Sequence, residues 1–334
     1  MPEQNANEVT IDSINEAIAE GGAIAGDNRN PRRTPRTPRA DNEPEVGVLV
    51  QTSPRDAFEA LVLHASAKAD ILAGIRAIES RADLDRVWGI SHIQPQAGRC
   101  ILNFYGDPGT GKTRSARAIA WKLGRPLYQV DYSAVVSKYL GDTAKAIKYA
   151  FQRAAHHGAV LFFDEADSLL SKRVDMNESC ATSINQNRNV LMQELDRFDG
   201  VVIMTTNLFG NYDEAIIRRV AKHIKFDLPD RGMRKRLLEA HLPNRTKVAA
   251  DLMEVARASK GLSGGDILNV CLNAMYAGSI DEDPANWKIT QEIMLCEVEK
   301  ILAAKQQHNL SKRKAATRSG PIGFHTAGAE LEVE

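Results

Sequence analysis

The sequence has no apolar run near the roughly 20 residues that a membrane-spanning helix requires, so no membrane span is expected. An excess of one charge is missing as well. Lys plus Arg and Asp plus Glu both number 43 among 334 residues, so any attraction to nucleic acid or anionic lipid has to be local. Cysteine is scarce: Cys100, Cys180, Cys271 and Cys296 lie far apart and form no C-x-x-C pair. That usage fits reduced side chains in a cytoplasmic protein better than a disulfide framework or a zinc site. The opening MPEQNANEVT has neither a positive start nor an apolar stretch, so no secretory signal is read there. What is present, 43% apolar and 26% charged residues, fits a soluble globular protein with length enough for two domains.

Residues 1–52 read as a disordered arm. The stretch RNPRRTPRTPRADNEPEVG is rich in Pro, Arg and small polar residues, and it cannot bury enough surface to offset the entropy of ordering it. Ile11, Ile14 and Ile18 sit at helical spacing inside the arm, a pattern too short to hold alone. Order begins near Ser53-Pro54-Arg55-Asp56, where Ser can cap, Pro suits a first helical position and Asp favours the first turn. A helical region is expected from there to about Leu84. Five short apolar runs follow, at 100–105, 126–130, 159–163, 201–206 and 223–228, separated by helical patterns. Their length and spacing predict an α/β domain over 53–229 with a largely parallel sheet covered on both faces. From Asp230 the pattern is wholly helical, which gives a small C-terminal helical lid over 230–306. The stretch 307–334 is polar and partly basic and reads as a disordered tail.

Gly106-Asp107-Pro108-Gly109-Thr110-Gly111-Lys112-Thr113 fits G-x-x-x-x-G-K-[ST] between a strand and a helix-forming segment. Glycines at 106, 109 and 111 let the backbone take positive φ and approach phosphate oxygens. The helix that follows aims free N–H groups and its positive dipole end at the same place. Lys112 is expected to reach the β and γ phosphates and Thr113 to ligate Mg²⁺. A glycine-rich turn without a ligand is the plain alternative. A chance match of the four fixed positions occurs roughly once in a hundred chains of this length, and the strand–loop–helix setting disfavours it further.

Val160-Leu161-Phe162-Phe163-Asp164-Glu165 is a buried strand ending in two acids. Strand ends of a parallel sheet share one edge, so both acids should face the phosphate loop. Asp164 suits a Mg²⁺ contact through water. Glu165 is placed to polarise an attacking water, the base that separates ATPases from P-loop kinases. A further strand, Val201–Thr206, ends at Asn207, whose amide could orient the same water or touch the γ-phosphate. By itself an Asn after a strand is more often a turn former.

These residues resemble the AAA family of ATPases over roughly 55–280. GDPGTGKT is similar to its Walker A motif, LFFDEAD to its Walker B and MTTNL to its sensor strand, which makes Asn207 the polar sensor. DEAIIRR (213–219) is similar to the end of the second region of homology, which implies Arg218 and Arg219 as fingers reaching a neighbouring subunit's ATP. GLSGGDI (261–267) is similar to the G-x-S-G-A-D motif that opens a lid helix, with Gly265 near the adenine and ribose where the family usually has Ala. The resemblance implies the sheet order 5-1-4-3-2, with the Asn207 strand between the Walker A and Walker B strands. It also implies a hexameric homo-oligomer with ATP and Mg²⁺ at each interface.

Lys138-Tyr139-Leu140-Gly141 resembles the pore loop of AAA protein unfoldases. An aromatic and an aliphatic side chain can wedge into an extended polypeptide without reading its sequence, and Gly supplies mobility. The expected function is therefore ATP-driven remodelling or unfolding of a protein client, with an adaptor or a HORMA-domain protein among the partners that fit. Two other readings compete. A nucleic-acid-linked ATPase, of the loader or transposition-regulator type, would use Arg29, Arg32, Arg33, Arg36 and Arg39 on phosphates, although a solvated linker explains them more simply. A nucleotide-binding switch that hydrolyses little is opposed by the full set of Lys112, Asp164, Glu165 and Asn207.

Overall fold

The computed structural model describes residues 46–93, 99–132, 135, 142–167, 181–207 and 213–318. Its main sheet has six strands: β1 (Val48–Val50), β2 (Cys100–Gly106), β3 (Leu127–Asp131), β4 (Val160–Asp164), β5 (Val201–Thr206) and β6 (Lys222–Phe226). They lie in the order β1-β3-β4-β5-β2-β6. The five strands β2 to β6 are parallel and keep the order that the resemblance implies. Strand β1 adds an antiparallel edge on β3, with Val48 opposite Gln129. By sequence, residues 48–50 fall within the arm read as disordered, so this strand is a correction. A three-residue edge strand beside a Pro- and Arg-rich stretch has too little periodicity to announce itself.

Alternation along the strands builds two cores. Tyr128, Val130, Leu161, Phe163, Val202 and Met204 face one side, where they meet Ile147 and Phe151 of α4 (Thr143–His156) and Leu191 and Leu195 of α5 (Ala181–Arg197). Leu102, Phe104, Leu127, Val160, Phe162, Val201 and Ile203 face the other, against Ile71 and Ile75 of α1 (Ala65–Glu79) and Ala116 and Ile119 of α3 (Lys112–Lys122). Small residues on α3 let that helix lie close to the sheet. Phe163 is fully buried, packs on Phe151 with ring centroids 5.7 Å apart, and directly precedes Asp164. Phe163→Ala would cost about 3–5 kcal/mol and loosen the strand end that holds the acids.

Between β1 and β2, Ser53 and Asp56 form a capping box on a 3₁₀ turn at the place where the sequence indicated a cap, with the Ser53 N–H 2.9 Å from Asp56 Oδ2. The helical region differs in detail. Residues 61–64 are extended between a second 3₁₀ turn and α1, and α2 (Arg81–Trp88) passes the predicted end at Leu84.

A short helix, α6 (Glu214–Ile217), links β5 to β6. After β6 the lid holds α7 (Arg231–His241), α8 (Leu252–Ala258), α9 (Gly264–Ala277) and α10 (Gln291–Arg318). Asp230, Asp251 and Ser263 cap the first three. Leu238, Leu242, Val255, Leu262, Ile267, Val270 and Met294 form its core. Two expectations are corrected here. The lid is not wholly helical, because β7 (Val248–Ala249) pairs in parallel with β8 (Ile289–Thr290). The tail predicted from 307 is helical as far as Arg318, since good helix formers extend α10 without needing an apolar stripe. Cys100 and Cys271 are buried free thiols, and burial raises them to about 11 and about 12, so both stay protonated.

Candidate nucleotide site

The register of β2, β4 and β5 brings Gly106, Asp164 and Thr206 to one edge, with Tyr105 opposite Thr206 and Phe163 opposite Met204. Gly106 leaves the sheet at φ 141°, where an added Cβ would collide with the Phe226 carbonyl. Gly109 at φ 75° has no room either, because a Cβ would come 2.6 Å from Ser263 Oγ of the lid. The Thr110 hydroxyl donates to the Asp107 carbonyl at 2.8 Å and closes the loop. Helix α3 then starts at Lys112, its first-turn amides directed into the loop.

Lys112 Nζ donates to the Gly106 carbonyl at 2.6 Å, the Asp107 carbonyl at 3.0 Å and Asn207 Oδ1 at 2.9 Å. Burial lowers its pKa, against the pull of the Asp164, Asp107 and Asp167 carboxylates. The Thr113 hydroxyl donates to Asp164 Oδ2 at 3.1 Å. On the other side, the Thr205 hydroxyl donates to Asp164 Oδ1 at 2.6 Å and accepts from the Glu165 N–H at 3.2 Å. Glu165 has φ 52°, the only positive value at a described residue other than glycine. A left-handed non-glycine residue costs about 1–2 kcal/mol, so Thr205 and Asp164 Oδ1, which also accepts from that N–H, hold a strained backbone at the strand end. The Asn207 N–H donates to Asp167 Oδ1 at 3.0 Å, and the Thr206 hydroxyl binds the same oxygen.

The structure brings Lys112, Thr113, Asp164, Glu165 and Asn207 together at this edge. Thr205, Thr206 and Asp167 were missed. Two adjacent threonines ending an otherwise apolar strand, both 1% exposed, were the available signal.

Beside the loop lies a cavity of about 330 Å³ walled by residues 61–64, the loop 109–114, Met233, Leu237, His241 and Gly264, Gly265 and Leu268. The His64 ring lies 2.9 Å from the Leu228 carbonyl, which pins the 61–64 segment over the end of β6. His241 is half-buried, and burial first and then Arg114 hold its pKa below 6.5. Neither histidine nor the 61–64 wall was read from the sequence, because each reaches the cavity from a distant part of the chain. Its apolar wall beside a phosphate-type loop fits the base and sugar of a nucleotide.

Residues 102–228 match the model of the ATPase family associated with various cellular activities (AAA). The chain carries an AAA ATPase domain. It is 36% identical to the probable 26S proteasome regulatory subunit 10B of Caenorhabditis elegans over 194 residues, 55% of this chain and 47% of that protein. With 26S proteasome regulatory subunit 10B of Dictyostelium discoideum it shares 35% identity over 188 residues, 54% of this chain and 48% of that protein. The ATP-dependent zinc metalloprotease FtsH of Malacoplasma penetrans is 36% identical over 253 residues, 68% of this chain and 29% of that protein. The chain spans about half or less of the length of these relatives.

Within the AAA domain the two finger candidates differ. Arg218 is about four-fifths exposed, and among the described residues its side chain pairs with Glu214, at 3.4 Å across one turn of helix. Arg219 is folded back: Nε and Nη2 clasp Asp196 at 2.8 and 2.7 Å, and Nη1 donates to the Ala215 carbonyl at 2.8 Å. The Arg219 clasp holds Asp196 below its ordinary carboxylate range. Gly265 donates its N–H to the Gly109 carbonyl at 3.0 Å, so the lid touches the phosphate loop directly. Lys138, Tyr139, Leu140 and Gly141 lie outside the described residues, as does Pro-rich segment 1–45. Among the described residues no helix is long and apolar enough to cross a membrane.

Proposed function

We propose that this chain hydrolyses ATP within a ring of identical copies, six on the family's pattern, and uses the cycle to remodel or unfold protein. The observation that supports this most strongly is the hydrogen-bonded set Lys112, Thr113, Asp164, Thr205, Glu165 and Asn207 at one sheet edge. The glycine loop and the Lys112 ammonium suit the charge of a triphosphate, and the neighbouring cavity suits its base and sugar.

Lys112 binds the β and γ phosphates, and the α3 amides surround them. Thr113, with Asp164 behind it, would hold Mg²⁺, which when bound would supply Lewis-acid stabilisation of charge on the phosphate oxygens. Glu165 orients a water and accepts its proton as the water oxygen bonds to the γ-phosphorus and the bond to ADP breaks. Asn207, tied to Lys112, fixes the far side of the same water. Arg218 has no task in its own subunit's site, and its exposure suits donation to the ATP of the next copy, where a cation stabilises the transferring phosphoryl group. The Tyr139 and Leu140 loop grips the client. Relatives named for proteasome regulation and ATP-dependent proteolysis favour protein over nucleic acid as the client.

A mixing experiment tests the shared site. Glu165→Gln and Arg218→Ala proteins should each be nearly inactive alone and should regain turnover together, because some interfaces then pair an intact Glu165 with an intact Arg218. Mixed rings that stay inactive would rule the shared site out.

A further inference from the structure

Helix α10 packs on the other helices of the lid through a stripe of Met294, Val298 and Ile301. The next position on that stripe is Lys305, a charged residue where the spacing calls for an apolar one. Its ammonium ends on Asp266 Oδ2 at 2.5 Å and reaches toward the Gly261 carbonyl at 3.5 Å. The same carboxylate oxygen accepts the Ser263 N–H and the Ser263 hydroxyl, both at 2.8 Å. Ser263 caps α9, and the first turn of α9 is the part of the lid that meets the phosphate loop. There the Gly265 N–H donates to Gly109, and Ser263 Oγ lies so close that no side chain would fit at Gly109.

We infer that Lys305 is a nucleotide-positioning residue: through Asp266 and Ser263 it holds the start of the lid helix against the phosphate loop and balances the one carboxylate in that turn. The inference rests on the ATP-binding reading above. Two consequences separate it from a merely structural ion pair. Asp266 in a first helical turn is favourable for the helix with or without Lys305, so α9 should survive loss of the lysine. An unbalanced carboxylate beside the phosphate loop opposes a triphosphate, so nucleotide affinity should fall while the chemistry at Glu165, on another element, should not. Displacement of α10 would then weaken ATP binding through this chain of contacts, which makes the helix a route for regulation.

The test uses the full chain with Lys305→Met and Lys305→Arg. Amide exchange in nucleotide-free protein reads the contact itself, and steady-state hydrolysis with equilibrium ATP binding reads its consequence. Lys305→Met should speed exchange at residues 263–266 and raise KM and Kd for ATP about five- to tenfold, with kcat within about twofold, as expected for one partly exposed charge-assisted bond. Lys305→Arg should return KM to within about threefold of the wild type, because a second cation can reach the same oxygen. If Lys305→Met leaves KM and exchange unchanged, or Lys305→Arg is as impaired as Lys305→Met, the inference falls while the ATPase reading stands. Wild-type protein that takes up no ATP would instead overturn the functional reading and this inference with it.

Discussion

Removing the Thr205 hydroxyl while keeping its shape should separate catalysis from nucleotide binding. Thr205→Val deletes the 2.6 Å bond to Asp164 Oδ1 and the acceptor at 3.2 Å from the Glu165 N–H. A hydrogen bond to a charged group is worth about 1.5–3 kcal/mol, and Asp164 still accepts from the Glu165 amide, so a net loss of about 2 kcal/mol is expected. In a domain of this size that lowers Tm by on the order of 5 °C. The larger effect falls on turnover. Glu165 occupies a left-handed conformation that these contacts sustain, and a base displaced by about 1 Å can lose up to a hundredfold in rate. Lys112 bonds to Gly106, Asp107 and Asn207 and not to Thr205, so Kd for ATP should change by less than about threefold. The assay is kcat from steady-state hydrolysis beside equilibrium binding, with Thr205→Ser as the variant that retains the hydroxyl and much of the rate. A Thr205→Val protein with wild-type kcat would overturn this role for Thr205, and so would one whose Kd rises as far as its kcat falls.

Arg218→Ala should lower kcat at least tenfold with an unchanged Tm, because its bond to Glu214 is solvent-exposed, whereas Arg219→Ala should cost about 1 kcal/mol of stability through the lost Asp196 clasp. Equal thermal shifts in the two variants would contradict that split. Gly265→Ala should fit, since its Cβ would meet Gly109 Cα at 3.4 Å, an ordinary contact; the expected result is unchanged or slightly raised stability, by up to about 1 kcal/mol, with Kd for ATP within about twofold. A tenfold loss of affinity would show that the first turn of α9 has no room there. His241 resists protonation in the folded protein, so its contribution is complete above its ordinary 6.5 and is lost as pH falls through the lower folded value. His241→Gln should therefore flatten the dependence of Tm on pH below its ordinary 6.5, with His223, also lowered by burial, keeping part of the slope; an unaltered slope would exclude His241 as its source.

Much of this arrangement was legible in the residues because its causes are local. The glycines of the 106–113 loop, the acids after a buried strand and the five short apolar runs each encode their placement within a few positions. Their strand order required the family resemblance, since spacing alone does not order strands in a sheet. The rest depends on partners distant in sequence. Thr205 matters because β5 lies beside β4, about 40 residues earlier in the chain. The cavity wall at 61–64 is brought to the loop by the His64 bond to Leu228. An Arg-Arg dipeptide cannot reveal which guanidinium will find Asp196, and polar sequence after 306 hides a helix that has no stripe to display. Lys305 belongs with these, since its meaning comes from Asp266 on another helix.

Single-turnover cleavage by Glu165→Gln decides whether Glu165 activates water against ATP bound at Lys112. With that role for Glu165, the variant binds ATP as tightly as the wild type and leaves it uncleaved over many wild-type turnover times. ATP cleaved by Glu165→Gln at the wild-type rate would contradict it.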